Sequence, residues 1–324
     1  INIGVVGVGH LGIHHVKHYT AIPNVNLLGI YDPDIKRSNY VAKKYKTIAF
    51  QNLKKLIKDV DALSIVTPTP NHFKTAKLCL KNKKHVFIEK PITVTLEEAN
   101  KLLDLSKDNS TIIQVGHIER LNPALMALEP YDINPKFIEI QRLAPYTVRG
   151  TDVPVVLDKM IHDIDILSSL VKSEVSSLEA TGMSIITDSL DMAHARIQFK
   201  NGTTASLMSS RIAQQDVRKI KLFQKNLYST IDLLKGTTEI YKVGKNENYK
   251  SNILKSADFQ RNGKKRIITY MKPDIKKHDA LELELRNFSN SIIGKEKPIV
   301  DGKSGRDALS IALDIQTIIK KDFS

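Results

Sequence analysis

The chain opens Ile1-Asn2-Ile3-Gly4-Val5-Val6-Gly7-Val8-Gly9-His10-Leu11-Gly12, and this stretch decides the fold. Its apolar run reads as a buried parallel strand that breaks off in Gly-x-Gly-x-x-Gly before a helical pattern. In a dinucleotide-binding turn each glycine has its own task. Gly7 permits the tight turn, Gly9 lets the backbone approach a pyrophosphate, and Gly12 lets the helix lie close on its strand. The N–H groups of the helix start, around His10, Leu11 and Gly12, then face the phosphates. Three glycines at this spacing also occur in other strand–helix turns, so the motif needs its second half. Val25-Asn26-Leu27-Leu28-Gly29-Ile30-Tyr31 reads as the next strand and ends at Asp32. A carboxylate there accepts hydrogen bonds from ribose hydroxyls and repels a 2′-phosphate, which selects NAD over NADP. The competing reading of Asp32 is a turn residue in Asp-Pro-Asp.

With 324 residues the chain has room for two domains, and 41% hydrophobic and 26% charged residues are ordinary for a globular protein. No apolar run is long enough to span a bilayer and no leader pattern is visible, so no membrane association is expected. The single cysteine, Cys79, falls in a helical pattern and suits a reducing cytoplasm. A net charge of +14 raises nucleic acid as a partner. The distribution argues against it: 38 of the 49 basic residues are lysines, scattered as pairs such as Lys43-Lys44 and Lys320-Lys321, with no Trp and no zinc or helix-turn-helix spacing. A smaller anion, such as a nucleotide or a phosphorylated sugar, remains compatible.

Strands alternate with helices through residue 121, which predicts an α/β doubly wound parallel sheet over residues 1–121. Asp61 to Val66 is one of its buried strands, and the prolines of Thr67-Pro68-Thr69-Pro70 delay the next helix until His72 or Phe73. His85 to Ile88 is another, ending in Glu89-Lys90-Pro91. Both loops fall at the sheet edge where open α/β folds bind ligands. From residue 122 the pattern changes. Phe137 to Leu143 alternates at period two, Val155 to Leu170 reads as one long helix, and alternating strands follow at 178–186, 193–199 and 203–210. Further strands are expected at 219–223, 228–233, 239–243 and 266–270, with Lys245 to Lys265 a surface loop. Asn201-Gly202 marks a hairpin. Helices over 279–293 and 304–320 close the chain. Residues 122–324 are thus an α+β domain on a large, mainly antiparallel open sheet, with helix 304–320 able to pack back on the first domain. Such a sheet needs cover on its second face, which predicts a homodimer or homotetramer built there.

Three constellations could carry chemistry. Lys90, at a strand's C-terminal end, could bind a substrate hydroxyl, orient a cofactor or take a proton; it could equally be a surface lysine before a turn proline. Asp158, His162 and Asp165 fall at i, i+4 and i+7 on one helix face, as a general base held by a carboxylate requires. The alternatives are a core histidine near an acidic helix start, or a metal site short of ligands. His14-His15-x-x-His18 lacks a Cys or acidic partner and reads as packing and surface residues. No metal is expected.

In this order the pieces resemble the glucose–fructose oxidoreductase/inositol dehydrogenase (Gfo/Idh/MocA) family across essentially the whole chain. The likeness rests on Gly7 to Gly12 with His15, Thr67-Pro68 with Asn71-His72, Glu89-Lys90-Pro91, Asp158-x-x-x-His162 and Pro298-x-Val300-Asp301-Gly302. It implies a Rossmann domain joined to an α/β domain whose open sheet oligomerises. It also implies that Lys90, Asp158 and His162 surround the reacting carbinol, and that Thr67, Pro68 and His72 lie against NAD with Glu89 and Lys90. Gly116 to Pro123, Asp152 to Asp158, Met160 to Asp165 and Ser209-Ser210-Arg211 resemble the UDP-N-acetylglucosamine 3-dehydrogenase branch, which implies oxidation at C3 of a nucleotide sugar, for later transamination on the way to lipid A. A nucleotide sugar brings a pyrophosphate, for which Arg120, Arg142, Arg149 and Arg211 are candidates together with Asn122; each arginine could equally be a surface salt-bridge residue. Dehydrogenation of a free sugar, an inositol or another nucleotide sugar, and a non-catalytic NAD-binding regulator, are the competing readings.

Overall fold

The computed structural model describes residues 1–147, 153–244, 253–261 and 264–321. The chain divides into two compact units: Ile1–Ile118 with Asp279–Ser310, and Glu119–His278 with Ile311–Ser324.

The first unit runs β1 (Asn2–Val6), α1 (Gly12–Tyr19), β2 (Asn26–Tyr31), α2 (Ile35–Tyr45), β3 (Ile48–Ala49), α3 (Leu53–Asp59) and β4 (Ala62–Ile65). It continues through α4 (His72–Lys81), β5 (His85–Glu89), α5 (Leu96–Asp108) and β6 (Ile113–Gly116). All pairings are parallel in the order β3-β2-β1-β4-β5-β6. The order reverses beside β1, so the C-terminal ends of β1 and β4 frame the crevice where such sheets bind ligands. Side-chain caps start α2, α3 and α5. Asp34 accepts from Arg37 N–H, Asn52 from Lys54 N–H, and Thr95 forms a capping box with Glu98, which settles the register that Glu97-Glu98 leaves open in the sequence. Ile3, Val5, Val16, Tyr19, Ile30 and Phe87 meet in the core.

The second unit contains α6 (Pro123–Met126), β7 (Phe137–Leu143), α7 (Ile161–Val171), β8 (Val175–Met183), β9 (Met192–Phe199) and β10 (Thr204–Ser210). Then come β11 (Val217–Gln224), β12 (Leu227–Asp232), β13 (Thr237–Gly244), β14 (Ile253–Arg261) and β15 (Lys264–Met271). They form one nine-stranded sheet, β14-β15-β13-β12-β11-β7-β10-β9-β8, antiparallel except where β10 lies parallel to β7. Ile138, Ile140 and Arg142 of β7 are buried, while Phe137, Glu139 and Gln141 alternate with them on the more open face. The chain ends in α8 (Ala280–Ile292), whose Leu285 and Phe288 join the first unit's core, and α9 (Gly302–Lys321), which belongs to the first unit through Ser310 and to the second beyond it. No helix among the described residues is long and apolar enough to cross a membrane.

Three elements differ from the sequence reading. The helix expected over Val155 to Leu170 begins with a π-helical turn, Val156–Met160, and only then becomes α7. Hydropathy period does not distinguish a widened turn from an ordinary one. The strand expected over 178–186 lies earlier, because Asp191 Oδ2 accepts from the N–H groups of Ile185, Ile186 and Thr187 and turns that segment into a loop. The surface loop expected over 245–265 contains β14, paired with β15 from Ile253↔Met271 to Arg261↔Lys264. Asn262-Gly263, between the two strands in sequence, is the signal that could have found this hairpin.

Candidate active site

The first unit supplies the cofactor side. Gly7 sits at φ +87°, and a Cβ there would stand 2.7 Å from the Val66 carbonyl oxygen; a Cβ on Gly12 would collide with the Gly7 carbonyl. Only glycine fits at either position. At Gly9, by contrast, a Cβ would meet nothing within 4 Å, so the backbone there borders open space into which a pyrophosphate could come close. Helix α1 has no side-chain cap and no acidic residue in its first turn, which leaves its start open to an anion. Asp32 lies at the end of β2, where Oδ2 accepts from Val8 N–H at 2.8 Å and Oδ1 from Asp34 N–H at 2.9 Å. The acid is thereby tied to the glycine turn itself. Arg37 adds a contact that the sequence reading missed, its Nε donating to the Val8 carbonyl at 2.5 Å. These residues fit NAD.

The loops after β4 and β5 are joined by one imidazole. His72 is buried, with Nε2 2.8 Å from the Thr67 carbonyl and Nδ1 2.9 Å from the Pro91 carbonyl. Burial pushes its pKa down, against the pull of both carbonyls and the nearby Glu89 charge. His72 is therefore a strut between the Thr-Pro and Glu-Lys-Pro loops. The buried Thr67 hydroxyl has no hydrogen-bond partner, as a group held ready for a ligand would. Glu89 is held below the usual carboxylate range: burial works to raise it, but His15 and the Lys90 N–H outweigh that.

In the second unit, His162 lies in the first turn of α7 and Asp158 in the π turn before it. The Asp158 carboxylate lies 3.7 Å from the Lys159 ammonium. Asp165 does not join them as the single-face reading expected. It is fully buried and takes a two-pronged pair from Arg120, Nε to Oδ2 at 2.7 Å and Nη2 to Oδ1 at 2.8 Å. Asp163 takes the same kind of pair from Arg142, whose Nη1 also donates to Glu119 at 3.0 Å. Arg218 reaches the same Glu119 oxygen at 3.2 Å.

The described side chains expected as phosphate ligands have partners within the protein. Arg142 is buried and holds the protein's own carboxylates, and Arg120 is paired with Asp165. Buried Arg211 donates to the Val153 carbonyl and lies 3.8 Å from Asp191. Asn122 caps α6 through Ala124 N–H and donates its amide to Glu119 and the Leu233 carbonyl. Arg149 lies outside the described residues. No group of three or more His, Cys, Asp or Glu among the described residues could hold a metal ion.

Residues 1–117 match the family model described as GFO_IDH_MocA, an oxidoreductase family with an NAD-binding Rossmann fold, and residues 144–224 match the GFO/IDH/MocA C-terminal domain. The chain is 34% identical over 318 residues to UDP-N-acetylglucosamine 3-dehydrogenase of Acidithiobacillus ferrooxidans, spanning 98% of this chain and 96% of that one. A solved structure of that enzyme superposes with a TM-score of 0.88, covering 99% of this chain and 98% of its own. Myo-inositol 2-dehydrogenase of Thermotoga maritima is 24% identical, over 95% of this chain and 93% of that one.

Proposed function

The chain belongs to the Gfo/Idh/MocA oxidoreductase family and is an NAD-dependent dehydrogenase acting on a CH–OH group; from that premise we propose that it oxidises the C3 hydroxyl of UDP-N-acetylglucosamine. The observation that carries the substrate is the near full-length likeness, at 34% identity, to an enzyme of that activity. The product is a 3-keto sugar, suited to later transamination on the way to lipid A.

When bound, NAD supplies the acceptor for the hydride that leaves the carbinol carbon. The glycine turn holds its pyrophosphate, and Asp32 takes its ribose hydroxyls. His162 removes the hydroxyl proton as general base, with Asp158 orienting the imidazole. Lys90 donates to the carbinol oxygen and stabilises charge as it develops there. Arg149 stays the arginine candidate for the substrate pyrophosphate.

The test is reduction of NAD followed at the absorbance of reduced nicotinamide, with UDP-N-acetylglucosamine, other UDP-sugars, free sugars and inositols. An aminotransferase with its amino donor removes the ketone, so that an unfavourable equilibrium does not pass for inactivity. Turnover of UDP-N-acetylglucosamine above the rest is expected. Turnover confined to inositols or free sugars would overturn the substrate while leaving the reaction class.

We also propose that the enzyme is a homodimer or homotetramer assembled through the outward face of the nine-stranded sheet. Phe137, Phe223, Tyr228, Tyr241 and Tyr270 stand opposite one another on successive strands and form a ladder across it, ring centroids 4.6 to 5.9 Å apart. Phe137, Phe223 and Tyr241 each keep over a third of their surface exposed, an apolar stripe that favours burial against a second copy.

A further inference from the structure

The histidine cluster of α1 finds no place in the chemistry above, yet one member is not a packing residue. His15 is buried, one helical turn from the buried Tyr19. The Tyr19 hydroxyl lies 2.9 Å from Ser64 Oγ, Ser64 Oγ lies 3.2 Å from His15 Nδ1, and His15 Nε2 lies 3.0 Å from Glu89 Oε1. The other oxygen of Glu89 accepts the Lys90 N–H at 3.2 Å. Gly116 makes room for this carboxylate, since a Cβ there would stand 3.0 Å from it.

One assignment of protons satisfies every member. Burial pushes the Tyr19 phenol well above its usual range, so it keeps its proton and donates to Ser64. Ser64 then donates to His15 Nδ1, and His15 donates from Nε2 to Glu89. Placing the proton on Nδ1 instead would leave Glu89 without that donor and set the bare Nε2 lone pair against a carboxylate oxygen at 3.0 Å. The four side chains come from α1, β4 and β5, and the chain ends on the main-chain N–H of the lysine proposed to touch substrate. A half-buried carboxylate at the foot of Lys90 both anchors that amide and offers a counter-charge to the ammonium.

We infer that His15 is a positioning residue for Lys90, acting from Nε2 through Glu89, whose carboxylate selects the tautomer while Ser64, held by Tyr19, faces Nδ1. This rests on the reading of Lys90 as a catalytic residue. The alternative is that His15 only fills space against Phe87, whose ring it meets edge-on at 5.4 Å.

Two amide substitutions separate these roles. A glutamine amide reaches where Nε2 stood, and an asparagine amide only where Nδ1 stood. His15→Gln is expected to keep kcat within about threefold of the parent, and His15→Asn to lose about tenfold or more, as small misplacements of a reacting group do. NADH affinity, read from nicotinamide fluorescence, is expected to change less than about threefold in both, since neither touches the glycine turn. Equal kcat in the two variants would overturn the inference. Should either fail to fold, 15N NMR of the parent enzyme's imidazoles decides it: a His15 proton on Nε2 supports the inference and one on Nδ1 overturns it. Lys90→Ala is measured alongside. If Lys90→Ala retains turnover, the reading of Lys90 fails and takes the inference with it. If it is inactive while His15→Asn matches the parent, the inference alone fails.

Discussion

Arg142 Nη2 donates to Asp163 Oδ1 at 2.7 Å, and Asp163 directly follows His162 in the chain. Arg120 grips Asp165 in the same way. On a helix these two acids point to opposite sides of His162, roughly 100° one way and 60° the other. The pairs therefore fix the rotation of α7 and with it the direction of the imidazole. A buried pair contributes little against an apolar substitute, but breaking one side of it leaves a stranded charge. Asp163→Asn is expected to cost about 3–5 kcal/mol in urea unfolding. The double variant Arg142→Met, Asp163→Leu should cost clearly less than the two single changes added together. Single-variant losses below about 1 kcal/mol would show that the pair does not hold the helix.

We propose Asp32 as the residue that selects the cofactor. Its carboxylate is pinned by Val8 N–H and Asp34 N–H, so it cannot swing away from a 2′-phosphate. Asp32→Asn keeps the shape and removes the charge. NADH binding should weaken by about tenfold or more, the worth of a hydrogen bond to a charged group. The preference for NADH over NADPH should shrink at least as much, because the repulsion is gone. Fluorescence titration with both dinucleotides gives the ratio, and an unchanged ratio would mean that another group selects the cofactor.

The loop before β9 carries an acid-sensitive anchor. Burial would raise the Asp191 carboxyl, but the N–H groups of Thr187, Ile186 and Ile185 and the Thr187 hydroxyl bring it down to about 2, from 3.8. Its folded-state value lies below its unfolded one, so unfolding takes up a proton at low pH. The stability it contributes is complete above about pH 4 and is lost as pH falls toward 2. Asp191→Asn should therefore be less stable than the parent at pH 7, and the gap should close on acidification over that range. A gap independent of pH would place the effect in packing.

What the sequence made legible follows from which interactions are local. The glycine turn and Asp32 at the end of β2 each depend on residues within a few positions, and each stands where the pattern put it. The protein partners of the candidate phosphate ligands were not legible, for the opposite reason. An arginine at position 142 looks the same whether it faces a substrate or an aspartate 21 residues on, and only the fold brings Asp163 to it. His15 illustrates the same limit: its partners Ser64 and Glu89 are 49 and 74 residues away. The strand β14 was missed because Leu254 and Lys255 break the alternation that Ala257-Asp258-Phe259-Gln260 keeps, while the Asn-Gly pair beside it was informative and local.

The aromatic ladder gives the last expectation. Tyr241 stacks on Tyr270 at 4.6 Å and lies 5.9 Å from Tyr228, so it stands inside the row rather than at its end. Its outward face is 40% exposed. A carboxylate there would have to be desolvated in any interface built on the row, at a cost of several kcal/mol. On a free surface it would cost almost nothing. Tyr241→Glu should then leave the unfolding midpoint of the isolated chain within a few degrees of the parent's while shifting the protein to a smaller species in sedimentation velocity. Arg196→Glu, on β9 of the same sheet and already 3.6 Å from Glu179, serves as a control for charge alone. A parent enzyme that sediments as a monomer, or a Tyr241→Glu variant that keeps the parent's assembly, would remove the ladder from the interface.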